Sequence, residues 1–452
     1  MPSMKLSESH ILLCRSIKQT ETDASGLTPL LADFNSLENQ SSRGASVSGA
    51  VFNICTTMVG AGIMSIPATI KVLRIIPAFV VIFMIAFLVE VTVDFLLRYT
   101  QSGKATTYAG LMAESFGSLG SLAVQICVMV TNLGCLIIYL IIIGDVLCGN
   151  QSGGTLHLGI LQEWFGIQWW NSRAYVILFV VLLVMLPLVL LPHMNSLRRT
   201  SAISILLAIV FISSAMAIYA LWKGKTQNMG LLPDFANQVS VLDLFTTVPV
   251  LVTGFGFHVN IHPIRAELGR PSDMSSAVRI SLAICTAIYI SIGFFGYMLF
   301  GDSIMADMLV NFDQNSDSAV GQLVNDTVRL SYSLHLALVF PVMNFSLRAN
   351  IDELLFAKKP VLARDTPRFA ILSCLLLGVT YIIAIVIPNI WYFFQFLGST
   401  TVVCLSFIFP GAIVLRNVHG ISARKDKVMA VLVIILAIVT SIIAIATNLW
   451  SS

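Results

Sequence analysis

Residues 46–71 form an apolar segment long enough to cross a bilayer, yet its middle reads Gly60-Ala61-Gly62-Ile63-Met64-Ser65-Ile66-Pro67. Two glycines and a proline within eight positions are poor helix formers, so the backbone is expected to open for part of a turn. Open backbone inside a membrane is tolerated only where its N–H and C=O groups face other protein, water or a ligand. Interrupted spans of this kind are where secondary transporters hold their solutes. The stretch therefore reads as half of a solute site.

The rest of the chain supplies the setting. With 57% hydrophobic and 11% charged residues, its 452 positions are far from the balance of a soluble domain. A span needs about 20 apolar residues, and that length picks out about eleven segments. Their ranges are 46–71, 77–97, 119–146, 174–191, 201–222, 241–262, 277–300, 321–346, 369–387, 391–415 and 428–448. The sixth carries a second interruption, Thr253-Gly254-Phe255-Gly256-Phe257-His258, between Pro249 and Pro263. The expected fold is an all-α polytopic membrane protein in which two five-helix repeats, 46–222 and 241–415, each open with a broken helix, and 428–448 forms the eleventh span. Five spans per half force the second repeat to be inverted. The polar residues 98–117 read as a loop, and residues 1–45 as a disordered cytosolic tail without the layout of a signal peptide.

Orientation follows from the basic loops. A cytosolic N-terminus places twenty Lys and Arg on the cytosolic side and six on the other, counting Arg329. The loop after the seventh span has Asp302, Asp307, Asp313 and Asp317 and no basic residue, as a non-cytosolic loop should. Two glycosylation tripeptides, at Asn150 and Asn325, fall on that same side. The net charge of +3 is small and scattered, which excludes nucleic acid as a partner. Eight cysteines without CxxC spacing signal neither a disulfide framework nor a metal site. No HExxH or GxSxG is present, so no catalytic residues and no cofactor are expected.

Two half-helices can hold a zwitterion. Amides freed at Gly60, Ala61 and Gly62, with Ser65 nearby, lie where a helix begins and favour a carboxylate. Carbonyls released around Thr253, Gly254, Phe255 and Gly256 accept hydrogen bonds from an ammonium group. Together they describe an α-amino acid. The structural alternative is that these glycines only permit close helix packing.

Ala50-Val51-Phe52-Asn53 leading into Val59-Gly60-Ala61-Gly62-Ile63-Met64 and Ile66-Pro67 resembles the first span of the amino acid/auxin permease family. That family includes sodium-coupled neutral amino acid transporters and plant vacuolar amino acid transporters, and the chain is most similar to the vacuolar branch. Tyr139-Leu140-Ile141-Ile142-Ile143-Gly144-Asp145 and the turn Leu191-Pro192 carry the same resemblance, which covers about residues 45–450. It implies a LeuT-type fold, secondary active transport, and an amino acid held between the broken first and sixth spans. In sodium-coupled relatives an asparagine tends to stand where this chain has Thr56, and hydroxyl residues of the eighth span help to ligate the ion. Here Ala337 and Val339 stand where threonines are looked for, while Ser331 and Ser333 remain.

A depleted sodium site makes the proton the preferred coupling ion. Its candidate carriers are Glu90, an intramembrane carboxylate of the second span, and the histidines His258 and His335. Asp94 lies four residues before Arg98, where an ordinary ion pair explains both, and Asp145 reads as a solvated residue at the end of a span. The resulting expectation is a proton-coupled exporter of neutral amino acids from the vacuole or lysosome lumen to the cytosol. Its rivals are a sodium-coupled symporter of the plasma membrane and an amino acid sensor that signals through residues 1–45.

Overall fold

The computed structural model describes residues 46–152, 155–190, 207, 230–233, 241–313, 319–356, 362 and 365–451. Among these, eight helices are long and apolar enough to cross a membrane. A ninth span is made by Val47–Met58 and Ala61–Leu73, which meet at 53°. The chain is an integral, multi-pass membrane protein. Numbered as in the sequence, the broken pair is span 1, followed by span 2 (Ile75–Ser102) and span 3 (Tyr108–Cys148). Span 6 is Leu244–Glu267, span 7 Met274–Phe300, span 8 Ala319–Phe356, span 9 Thr366–Val386, span 10 Ile390–Arg416 and span 11 Arg424–Ser451. The fourth segment is a shorter apolar helix, Arg173–Val189. Apart from Leu207, the segment expected at 201–222 lies outside the described residues, as does the tail 1–45.

Local chemistry explains the helix starts. Ser46 Oγ accepts the Gly49 N–H at 3.2 Å at the head of span 1. Thr107 Oγ1 accepts the Gly110 N–H at 3.0 Å at the head of span 3, and Asp365 caps span 9 through the Arg368 N–H. The polar stretch 98–117, expected as a loop, is mostly helical. Span 2 continues to Ser102 and helix resumes at Tyr108. The bend falls at Gly117, whose φ of 69° and ψ of −161° lie in a region open to glycine.

One element departs from the all-α expectation. Asn150–Ser152 pairs antiparallel with Thr155–His157 and leads into a short helix, Ile160–Phe165. Asn325, which falls within the expected eighth span, is buried there with 4% exposure, which removes it as a glycosylation acceptor.

Ion pairs mark the two ends of the bundle. Where span 1 begins, the near face, Arg98 meets Asp426 at 2.9 Å and His419 meets Glu114 at 3.2 Å. On the far face Arg74 meets Asp302 at 2.8 Å, and Arg173 pairs with Asp145. Large apolar side chains left exposed on spans 2, 9 and 11, such as Phe83, Phe87, Leu375, Ile382, Ile435 and Ile442, form a lipid-facing surface. The core lies where span 7 runs along both halves of span 1 and span 8 runs along span 3.

Candidate functional site

Both interruptions are real and they touch. Span 1 leaves the α-helix at Val59 and Gly60, makes a 3-10 turn over Ala61–Ser65, and resumes at Ile66–Leu73 with Pro67 in its first turn, where a missing N–H costs nothing. Span 6 stops at Gly254 and resumes through His258–Asn260 into Ile261–Glu267. A Cβ added to Gly62 would stand 3.0 Å from the Gly254 Cα. The two broken backbones therefore approach as closely as glycine allows, at a point where Ala61, Gly62, Ser65, Gly254 and Phe255 are all buried. Only Gly256 is exposed in the second break, with Thr253 half-buried.

The freed backbone groups divide into occupied and open ones. Gly60 N–H donates back to the Met58 C=O at 2.8 Å, so it is not the free amide expected. Ala61 and Gly62 head the 3-10 turn, where the turn itself offers their amides no acceptor. Ser65 Oγ donates to the Ala306 C=O at 2.7 Å, which ties it to the loop after span 7. In the second break the Thr253 C=O accepts the Gly256 N–H at 3.3 Å, and the Phe255 C=O accepts the Phe257 N–H at 3.0 Å. Each carbonyl keeps a second lone pair.

Two tyrosines complete the geometry. Tyr289 of span 7 places its hydroxyl 2.6 Å from the Met58 C=O and 2.7 Å from the Gly254 C=O, so one phenol spans both breaks. Its ring meets Phe255 edge-on at 4.9 Å. Tyr332 of span 8 donates to the Gly60 C=O at 2.6 Å. Tyr139 of span 3 puts its hydroxyl 3.5 Å from where a Gly60 Cβ would stand. Helix-start amides on one side and spare carbonyl lone pairs on the other, with phenols between them, can hold a group that is both anion and cation.

Residues 43–451 match the family described as transmembrane amino acid transporter protein. The chain belongs to this family. It is 56% identical to amino acid transporter AVT6C of Arabidopsis thaliana over 410 residues, covering 90% of this chain and 94% of that one. It is 52% identical to amino acid transporter AVT6D of the same plant over 426 residues, covering 94% and 97%. A more distant likeness, 26% over 409 residues, links it to the putative sodium-coupled neutral amino acid transporter 10 of Xenopus laevis, of which 37% is covered against 88% of this chain. The family and these relatives are transporters, not enzymes.

The coupling-ion candidates of this transporter scatter around the breaks. Thr56 Oγ1 donates to the Phe52 C=O at 2.8 Å, and Ser331 Oγ to the Val328 C=O at 3.0 Å. His258 is buried and its Nε2 lies 3.0 Å from Thr92 Oγ1, so span 2 holds it beside the second break. His335 is buried one turn beyond Tyr332, with ring centres 5.0 Å apart. Glu90 is not brought to the site: it is 38% exposed and pairs with Arg279 of span 7 at 2.9 Å. Asp94 pairs with Arg98 at 2.8 Å, as its spacing suggests. The substitution Glu90→Gln is expected to leave flux and its pH profile within about twofold of the parent, since exposed ion pairs contribute about 1 kcal/mol or less; vesicle uptake across a pH series checks this.

Sequence reasoning missed Tyr289 and Tyr332, and it misplaced Asp145. A phenol at mid-span needs a hydrogen-bond partner, and that was the available signal for both tyrosines. Asp145 is no solvated end residue. It is 1% exposed and paired with Arg173, because the hairpin and the helix Ile160–Phe165 follow directly after it at the far end of span 3.

Proposed function

We propose that the chain is a secondary active amino acid transporter that binds an α-amino acid between spans 1 and 6 and moves it by alternating access. The contact between Gly62 and Gly254 carries this reading, because it joins the two broken spans at one point in a chain of this family. Ala61 and Gly62 amides take the carboxylate. The ammonium group lies against the spare lone pairs of Thr253, Gly254 and Phe255 carbonyls, and Gly256 marks the open edge. Eleven spans in a LeuT-type 5+5 inverted repeat suit the two breaks.

The proposed coupling ion is the proton, and the proposed direction is from an acidic vacuolar or lysosomal lumen to the cytosol, with neutral amino acids as cargo. In that orientation the near face is cytosolic, in keeping with the basic residues it collects. The hydroxyls of Thr56 and Ser331 are engaged with backbone carbonyls, and Ala337 and Val339 offer no oxygen. Sodium symport keeps one supporting observation, the buried Ser333 hydroxyl, which has no partner among the described residues.

Reconstituted vesicles given radiolabelled alanine, glutamine and leucine separate the two ions. Imposing an acid far side at constant sodium is expected to raise flux several-fold, and imposing a sodium gradient at constant pH is expected to leave it unchanged. Sodium-dependent flux at fixed pH would overturn proton coupling.

A further inference from the structure

The loop that follows span 7 crosses the far end of the broken span 1. Ser65 Oγ donates to its Ala306 carbonyl at 2.7 Å, and Lys71 Nζ to its Ile304 carbonyl at 3.3 Å. Asn311 staples the loop to itself, accepting the Met305 N–H at 2.8 Å and donating to the Ser303 carbonyl at 3.0 Å. Between these anchors Asp307 turns inward and is 3% exposed. Its Oδ1 accepts the Leu309 N–H at 3.0 Å. Its Oδ2 is buried and has no hydrogen-bond partner among the described residues.

No cation among the described residues pairs with it when it is ionised. Asp145 of span 3, Arg173 at the head of the fourth segment and Arg329 of span 8 all lie within electrostatic reach. Arg173 is committed to Asp145 and to the Ile141 carbonyl at 3.1 Å. Arg329, 1% exposed, is committed to Glu163 at 2.6 Å and to the Leu158 carbonyl at 2.6 Å. Both guanidiniums are thus engaged by other carboxylates, and Asp307 has no ion-pair partner among the described residues. His157, on the strand packed against this loop, Lys71, and Asp302, which is paired with Arg74, complete the titratable and charged neighbours. A dry carboxylate with a bare oxygen is costly, whereas a protonated one is neutral and gains a donor.

We propose that Asp307 is a proton-binding site whose protonation permits the loop 304–313 to close over the break in span 1. The proposal rests on the proton-coupled reading above and names the group that takes the proton from the far side. Burial and the neighbouring Asp145 push the Asp307 carboxyl well above the usual carboxylate range, and Arg329 and Arg173 offset this only in part. The sign follows from linkage. A carboxyl whose pKa is raised by closure binds its proton as the loop shuts, so closure is favoured as far-side pH falls and opposed as it rises through the closed-state value. Tyr332, which donates to the Gly60 carbonyl, lies within electrostatic reach of the same carboxyl. The proton and the break therefore share a neighbour.

Hydrogen exchange of the loop amides, compared between the full-length protein and Asp307→Asn at the same pH, tests this directly. Asn mimics the protonated carboxyl. Loop exchange in the two proteins is expected to converge as pH falls toward about 4, the ordinary carboxylate value of the open loop, and to be at least about tenfold faster in the parent at pH 7.5. A ratio near one at both pH values would overturn the proposal. Asp307→Glu keeps a titratable group and is expected to keep the pH-dependent difference from Asn; its absence there counts against the assignment if the Asn variant folds poorly. Substrate-driven proton movement, followed with a trapped pH dye and alanine, glutamine and leucine as substrates, separates the two levels. If the parent moves no proton while the exchange ratio behaves as expected, proton coupling fails and the Asp307 latch stands. If the parent couples and Asp307→Asn couples equally, with equal loop exchange, only the Asp307 assignment falls.

Discussion

A single methyl group at Gly62 is expected to cut transport at least about tenfold, and the same change at Gly254 is expected to cost several-fold less. The difference is geometric. The new methyl at Gly62 would lie 3.0 Å from the Gly254 Cα, and that neighbour is backbone, which cannot rotate away. At Gly254 the nearest atom is on the Tyr289 ring at 3.6 Å, an ordinary contact. Overpacking of this kind costs about 1–3 kcal/mol, and 1.4 kcal/mol is a factor of ten. Gly62→Val should abolish flux with the protein still inserted. Uptake normalised to the amount of protein in the vesicle decides the matter, and equal loss at both glycines would show that the breaks do not meet as described.

Tyr289→Phe is expected to reduce flux about tenfold or more and to lower thermal stability in detergent, by removing one hydroxyl that serves both breaks. A buried acceptor left without its donor costs about 1–3 kcal/mol. Met58 C=O would retain the Gly60 N–H at 2.8 Å, so most of the loss falls on Gly254, which lies in the proposed ammonium cradle. Tyr332→Phe should be milder, about threefold, because the Gly60 C=O also accepts the Ile63 N–H at 3.2 Å. If flux in the Tyr289 variant matched the parent, the phenol would be a packing group and nothing more.

Much of the scaffold could be read before any coordinates. Long apolar segments and their lengths are properties of the chain itself, and so is the conflict between Gly60, Gly62 and Pro67 and a continuous helix. Which face a residue presents is not. Glu90 looked available for a proton because its partner, Arg279, lies far along the chain on another span. Asp145 looked solvated because nothing in its neighbourhood announced that residues 150–171 would fold beside it. Asp307 read as one of four loop acids, and its burial depends on Ser65 and Asn311 drawing the loop inward. Tyr289 and Tyr332 were passed over because an aromatic residue in an apolar run reads as hydrophobic filler until its hydroxyl is seen to reach a carbonyl.

The two halves of span 1 are fastened unequally. Beyond Gly60, the far half is held by Ser65, by Lys71 and by Arg74 with its Asp302 partner. Before it, Val47–Met58 is joined to span 7 by the Ser281 hydroxyl, 3.3 Å from the Val51 C=O, and by the Cys55 thiol, 3.9 Å from the Ser281 C=O. In mechanical terms the near half is a lever about 18 Å long, pivoting where Tyr289 grips Met58. Swinging it through about 10° carries its free end about 3 Å, roughly the width of a water molecule, breaking one weak polar link and one thiol contact and sliding the buried Ala50 and Ile54 along span 7. Under the proposed alternating access, a hinge so placed is expected to open the molecule from the N-terminal side first.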